Sequence, residues 1–388
     1  MPATQAYLDY GAATPLDPQV LEAMMPYLTG EFYNPSAPYA LARQTRDALE
    51  QARTTLASLI GARPASITLT AGATEANNLA FAAVDGHVVT SAIEHESVLA
   101  CAKSHDHTLV GVGPDGRVDL PALRRAITPE TQLVSVELAN GEVGAIQPVR
   151  EIAQAVAAER MRRLEAGERN PIYLHTDASQ AALTHAINVS SLGADLLTLS
   201  AAKVYGPKQV GLLWASDDVR LRPLVRGGGQ EGGVRSGTEN VAGVIGFARA
   251  FELACAGRKE EARRLQELRS RLQSRLEAAF PSMVVSGPKR SKLRLPGLLH
   301  VSFAGLDAMR LVIGLERLGV SVGTGSACAA SRMQVSHVLT AMGVPQEVAR
   351  GSLRMTLGRP TTTDEIDYAA EAIERVVRGE AARVGVSL

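Results

Sequence analysis

Cysteine, lysine and tryptophan are scarce in this chain. Its three cysteines, Cys101, Cys255 and Cys328, offer neither a disulfide framework nor a metal-ligand spacing, which suits a reducing compartment. A net charge is missing too, since 40 Lys plus Arg offset 40 Asp plus Glu. The balance therefore gives no reason to expect nucleic acid or a membrane as a direct partner. No apolar run reaches the length needed to cross a bilayer. The opening Met-Pro-Ala-Thr-Gln-Ala shows no basic region followed by an apolar one, so no signal peptide is visible and a cytoplasmic protein is expected. What remains is ordinary for a globular protein, with 46% apolar and 21% charged residues, and 388 residues suffice for two domains.

Only six lysines occur, at 103, 203, 208, 259, 289 and 292, and most sit among other charges. Lys203 instead follows the apolar run Ala194–Leu199, then Ser200-Ala201-Ala202, and the stretch stops in Gly206-Pro207-Lys208. An amine beside an apolar run is costly to bury unless paired or neutralised. Partial desolvation lowers its pKa and makes it a candidate Schiff-base nucleophile. Read in isolation, the stretch is also that of a lysine capping a strand end with its head in water.

The chain in order predicts a short strand at Tyr7–Tyr10, a helix opened by Asp17 through about Leu28, and a rigid loop at Asn34-Pro35-Ser36-Ala37-Pro38. A long helix follows to about Ile60, with Gly61 where a C-cap belongs. Ser66–Thr70 reads as a strand, and Ala71-Gly72-Ala73-Thr74-Glu75 as a small-residue turn opening a helix. Such a turn is an anion site, because free N–H groups and the Thr74 hydroxyl converge with the helix dipole behind them. It is neither the dinucleotide fingerprint nor a P-loop. A plain N-cap by Thr74 is the alternative.

From Val88 the pattern alternates. Strands are expected near 88–91, 108–112, 132–138, 171–176, 195–199 and 210–215, with helices near 96–104, 121–127 and 148–166. This implies an α/β fold with a mostly parallel sheet, whose strand carboxyl ends carry the ligand. Those ends hold Glu94-His95, Asn140-Gly141-Glu142, Asp177-Ala178-Ser179-Gln180, and Ser200 with Lys203. A lysine, a carboxylate and a phosphate turn at one edge are what pyridoxal phosphate requires. The lysine forms the Schiff base, and the aspartate keeps the pyridine nitrogen protonated.

After a glycine-rich loop, Arg226–Thr238, a long helical stretch runs from about Glu239 to Ala279, with a break expected near Ala256-Gly257. The expected organisation is residues 1–15 packing with a small domain, 16–256 as the large cofactor domain, and 257–388 as a smaller α+β C-terminal domain. Strands near 298–303 and 351–357, helices near 307–318 and 332–342, and a final helix from about Thr363 belong to it. Within it, Val322–Ser331 is a run of small residues carrying Cys328, which predicts an accessible loop thiol acting as a nucleophile. Cys101 and Cys255 fall in helical patterns and read as core.

These motifs, in this order, resemble the cysteine desulfurases of the NifS/IscS type, in the class V aminotransferase group of fold type I pyridoxal-phosphate enzymes. Leu8-Asp9-Tyr10, Asn34-Pro35, Gly72-Ala73-Thr74-Glu75, Glu94-His95, Asp177–Gln180, Lys203–Lys208, Arg235–Thr238, Gly325–Cys328 and Arg354–Arg359 carry the likeness. The resemblance implies that Lys203 bonds the cofactor and moves protons, while His95 stacks on its ring and assists proton transfer. Asp177 would pair the pyridine nitrogen and Gln180 the ring hydroxyl. Gly72, Ala73, Thr74 and Ser200 would hold the phosphate, with Thr238 arriving from the second subunit of a homodimer. Asn34 and Arg354 would grip the carboxylate of L-cysteine, and Cys328 would take its sulfur as a persulfide, leaving L-alanine. The sulfur would pass to an acceptor protein in iron–sulfur assembly or tRNA thiolation. Three positions depart from the family pattern. Ala202 stands where a phosphate-contacting histidine is usual, Gly141 where an asparagine is usual, and Gly232 where an arginine is often found. A selenocysteine lyase, another class V reaction, or a cofactor-poor sulfur carrier or regulatory partner are the alternatives.

Overall fold

Neighbouring residues on the central strands are both apolar, which forces each strand to be covered on two sides. The computed structural model, which describes residues 6–324 and 335–387, has this arrangement. Cys328 and the expected helix start near 332 lie outside the described residues.

The elements run β1 (Ala6–Leu8), α1 (Pro18–Thr29), α2 (Ala40–Leu59), β2 (Ile67–Thr70), α3 (Ala73–Phe81), β3 (His87–Ser91), α4 (Glu96–Lys103) and β4 (His107–Val110). They continue with α5 (Leu120–Ala126), β5 (Thr131–Ser135), α6 (Val149–Glu165), β6 (Tyr173–Asp177), α7 (Val189–Leu192), β7 (Leu196–Ser200), β8 (Gly211–Ala215) and α8 (Val241–Ala279). The remainder is β9 (Val284–Val285), β10 (Leu298–Ser302), α9 (Ala308–Arg317), β11 (Val320–Val322), α10 (His337–Ala341), α11 (Gln346–Ala349), β12 (Ser352–Thr356) and α12 (Thr363–Val384).

Seven strands form the large sheet in the order β2-β8-β7-β6-β5-β3-β4, with β8 alone antiparallel to its neighbours. Val89, Val134, Leu197 and Leu212 enter one core with α2, α6 and the start of α8. Their chain neighbours Val88, Leu133, Leu196 and Leu213 enter another with α3 and α4. Since β2 and β7 are each antiparallel to β8, the carboxyl ends of β2, β3, β5, β6 and β7 share one edge.

The smaller sheet, β12-β10-β9, is antiparallel, and β1 from the N-terminus pairs in parallel with β11 beside it. Leu299, Val301, Leu353 and Met355 face a core built with Ala6, Leu8, α9 and α12. The opposite face of the same strands carries His300, Ser302, Arg354 and Thr356, all buried.

The expected break at Ala256-Gly257 is absent. α8 is one helix of 39 residues, and Gly257 lies in it with open space where a Cβ would project. Helix-forming residues on both sides outweigh one glycine, which costs only about 1 kcal/mol. The helix nonetheless changes core: residues through Ala254 pack with the large sheet, and those from Leu265 with the small one. We keep the division near residue 256 as a proposal resting on that change.

Because Gly257 is an unhindered interior helix position, Gly257→Ala should stabilise the protein by about 0.5–1 kcal/mol, measured by denaturant unfolding. A destabilised variant would mean that the helix is broken there after all.

Candidate active site

The shared strand edge opens into a cavity of about 740 Å³ bordered by Gly72, Ala73, Thr74, His95, Asp177, Gln180, Ser200, Lys203 and Arg354, together with Glu94, Glu137 and His337. Two residues after β2 comes Gly72, whose φ of +119° is open to glycine and whose absent Cβ leaves free space. Gly72 is the N-cap of α3, so Thr74 lies inside the first turn and is not the cap. The first N–H groups of α3 have no partners within the helix and border the cavity, as an anion site requires.

β7 ends in Ser200, and a 3-10 turn over Ala201–Lys203 carries the amine inward. Lys203 Nζ donates to the carbonyls of Gly11 at 2.7 Å and Ala12 at 2.9 Å. Burial first, then the nearby Arg354 cation, pushes its pKa down to about 8, against the opposing pull of Asp177 and Asp9. The reading of Lys203 as a solvated strand cap therefore fails.

Asp177 closes β6. Its Oδ2 accepts from Asn77 Nδ2 at 2.9 Å, and its Oδ1 from the Ser179 N–H at 2.9 Å. Glu94 and Glu137 lie beside it as fully buried carboxyls. The Glu137 N–H donates to both Glu94 oxygens at 3.0 Å, Ser91 Oγ donates to Glu94 Oε1 at 2.6 Å, and Asn140 Nδ2 donates to Glu137 Oε1 at 2.7 Å. Desolvation raises both pKa values, and the neighbouring Glu94 adds to the rise at Glu137.

Arg354, on β12, reaches the cavity from the small sheet. Its Nη2 donates to Asp9 Oδ1 at 2.7 Å, and its Nη1 to the Gly141 carbonyl at 3.3 Å. Among the described residues its Nε is buried without a partner. At Gly141 a Cβ would lie 2.9 Å from Gln180 Cδ, so a side chain there would require the end of Gln180 to move. Gln180 occupies that space and donates to the Gly11 carbonyl at 3.2 Å.

Two expected residues are not brought to the cavity within one chain. Asn34 is exposed after α1, its Oδ1 accepting from the Ser36 N–H at 2.9 Å, and Thr238 is exposed beside a separate depression. Cys101 is buried, its thiol pushed up to about 11 by desolvation, and burial also raises the half-buried Cys255.

Several residues of the site were given no role by the sequence reading. Glu137 and His337 border the cavity, and Asp9, Asn77 and Ser97 stand behind it through Arg354, Asp177 and His95; they carry no local signal, because their partners are distant in the chain. Gln209 also borders the cavity, at a φ of +60° that is unusual for any residue but glycine. Ala202 borders it too, and beyond its backbone it offers no polar group.

These residues fit a phosphorylated aldehyde cofactor. An amine of lowered basicity, a carboxylate and a helix N-terminus line one space, and an orphaned guanidinium N–H lies beside them.

Residues 6–369 match the family described as aminotransferase class-V. The cysteine desulfurase IscS of Dictyoglomus turgidum is 40% identical over 385 residues, covering 96% of this chain and 94% of the relative. The cysteine desulfurase IscS 1 of Archaeoglobus fulgidus is 38% identical over 383 residues, covering 96% of each. Among solved structures, a NifS-like protein superposes with a TM-score of 0.87 at 33% identity, covering 96% of this chain and 99% of that one. The structure of SspA in complex with cysteine gives 0.75 at 32% identity, covering 91% and 98%.

A lysine reacts with an aldehyde only as the neutral amine, so uptake of pyridoxal phosphate by apo-protein should accelerate as pH rises through about 8. An ordinary lysine would do so near ~10.4. Arg354→Met removes a cation that holds the amine down, and the midpoint should rise by about 0.5–1 pH unit. Rapid-mixing absorbance measures both, and a wild-type midpoint at the ordinary lysine value would contradict the geometry.

Proposed function

This chain belongs to the class-V aminotransferase family, and from that premise we propose that it is a cysteine desulfurase, moving the sulfur of L-cysteine onto Cys328 and releasing L-alanine. The observation that carries this reading is the cavity shared by Lys203, Asp177 and the Gly72–Thr74 turn. Pyridoxal phosphate, when bound, supplies the electron sink for bonds at the substrate α-carbon.

The chain's own residues do the rest. Gly72, Ala73 and Thr74 would receive the phosphate at the start of α3, with Ser200 beside them. Asp177 would pair the ring nitrogen, Gln180 the ring hydroxyl, and His95 would lie against the ring. Lys203 would hold the cofactor aldehyde and move protons at the substrate carbon, a task suited to an amine whose pKa is pushed down to about 8. Arg354 binds the substrate carboxylate with the N–H groups that Asp9 leaves over.

The Cys328 thiolate then attacks the substrate sulfur. The S–S bond forms as the C–S bond breaks, the electron pair stays with carbon, and protonation of that carbon gives alanine. Only a few per cent of an unperturbed thiol is ionised at neutral pH, yet a thiolate of this kind is intrinsically very nucleophilic. An acceptor protein, either an iron–sulfur scaffold or a tRNA-thiolation enzyme, takes the sulfur and restores the thiol. The exposed Thr238 suits a homodimer in which it serves the phosphate of the second copy. Asn34 has no place on the substrate within one chain.

Cys328→Ser should retain the cofactor absorbance and its change on adding L-cysteine, while persulfide and sulfide fall to background. Cys101→Ser and Cys255→Ser should keep full sulfide release, because burial holds both thiols protonated. Undiminished sulfide from Cys328→Ser would remove that residue from the reaction.

A further inference from the structure

His95 does double duty. Its ring borders the cavity, and it is also the N-cap of α4, with Nδ1 accepting from the Ser97 N–H at 3.1 Å. A backbone N–H can only donate, so Nδ1 must hold its lone pair toward Ser97. A neutral ring then carries its proton on Nε2.

A second contact is compatible with the same choice. Ser97 Oγ lies 2.8 Å from Nδ1 and accepts from Asn77 Nδ2 at 3.0 Å. Having accepted there, the serine hydroxyl has its own hydrogen free to point at Nδ1. The other hydrogen of Asn77 Nδ2 goes to Asp177 Oδ2 at 2.9 Å, so the negative oxygen dictates which way the amide faces. This orientation leaves Asn77 Oδ1 buried without a partner, and the reverse orientation would set a carbonyl against a carboxylate. The run Asp177–Asn77–Ser97–His95 is therefore directed. It is also a dead end for protons, because the amide of Asn77 cannot pass one on.

We propose that Ser97 and Asn77 are positioning residues that hold His95 as the neutral Nε2–H tautomer, so that it offers the bound cysteine a hydrogen-bond donor and not a base. Proton movement at the substrate then falls to Lys203. A charged ring would set an Nδ1–H against the Ser97 N–H, so protonation requires loss of the helix cap. Burial works in the same direction by lowering the pKa of His95. The charged and titratable groups around the ring are Asp177 at the end of β6, Lys203 after β7, Glu96 on α4 and His337 on α10. Asp177 and Glu96 favour the charged ring, whereas Lys203 and His337 oppose it. Glu94 contributes its carbonyl to His337 Nε2 at 3.1 Å. The role at the substrate rests on reading the cavity as the cofactor site, whereas the tautomer rests on the chain alone.

Nitrogen-15 NMR of protein labelled in its histidine rings tests this, with His95→Gln identifying the signals. In both apo- and pyridoxal-phosphate-loaded protein, Nδ1 should have the shift of an unprotonated nitrogen and Nε2 that of an N–H. Any titration of the ring should lie below the ordinary value of ~6.5. Ser97→Ala and Asn77→Ala keep the backbone N–H of Ser97 and remove only the hydroxyl part of the restraint, so a minor Nδ1–H population should appear and any titration should move part of the way toward the ordinary ~6.5, and Ser97→Thr should restore the wild-type signals. A merely structural role would lower stability and leave the tautomer alone. A wild-type ring protonated on Nδ1, or signals unchanged in both alanine variants, would overturn the proposal. Should the predicted tautomer appear without cofactor absorbance, the functional reading fails and the tautomer assignment stands.

Discussion

Keeping one amine out of water is the constraint on which the site depends. An unpaired ammonium taken from water loses hydration that no apolar wall replaces, so its basicity falls or it finds acceptors. Lys203 does both, with two backbone carbonyls on Nζ and a pKa near neutrality. The sheet makes this possible, because β7 is fully buried and its carboxyl end delivers Ser200 and the lysine to the edge where β6 delivers Asp177. Opposite charges on adjacent strands then balance without meeting in a direct ion pair.

The N-terminal segment ties this centre to the small sheet. Gly11 and Ala12 give their carbonyls to Lys203, while Asp9 takes the Arg354 guanidinium, and Tyr10 and Gly11 donate to Thr356. One short stretch thus touches the amine, the substrate-facing arginine and the strand that carries it. Removing Asp9 would leave a buried guanidinium without its carboxylate, a loss of several kcal/mol in comparable cases. Glu94 and Glu137 add no opposing charge at neutral pH, since burial favours their protonated forms.

Much of this was legible in the sequence. Each central strand is a short apolar run, and each run ends in a polar cluster, so the strand edge and most of its side chains follow from one-dimensional pattern. The glycine turn before α3 was legible because only a few chemistries need small residues there. The unbroken α8 was not, because an interior glycine lowers helix stability without forbidding it, as Gly257 illustrates. Nor was the parallel pairing of β1 with β11, whose strands are three residues long. The Asp9–Arg354 pair joins residues 345 positions apart, and Asn77 reaches Asp177 across 100, distances at which no local spacing carries information. Asn34 was matched by motif, yet nothing in the folded chain places it at the cavity.

The central claim is that L-cysteine is cleaved at its carbon–sulfur bond with the sulfur retained on Cys328. Its most direct measurement is a rapid-quench time course of the alanine formed when holoenzyme is mixed with L-cysteine and no acceptor protein. The account predicts a burst of about one alanine per chain, matched by one persulfide, followed by a slower phase set by the clearing of the persulfide by free thiol. A linear time course without a burst, or pyruvate in place of alanine, would contradict it.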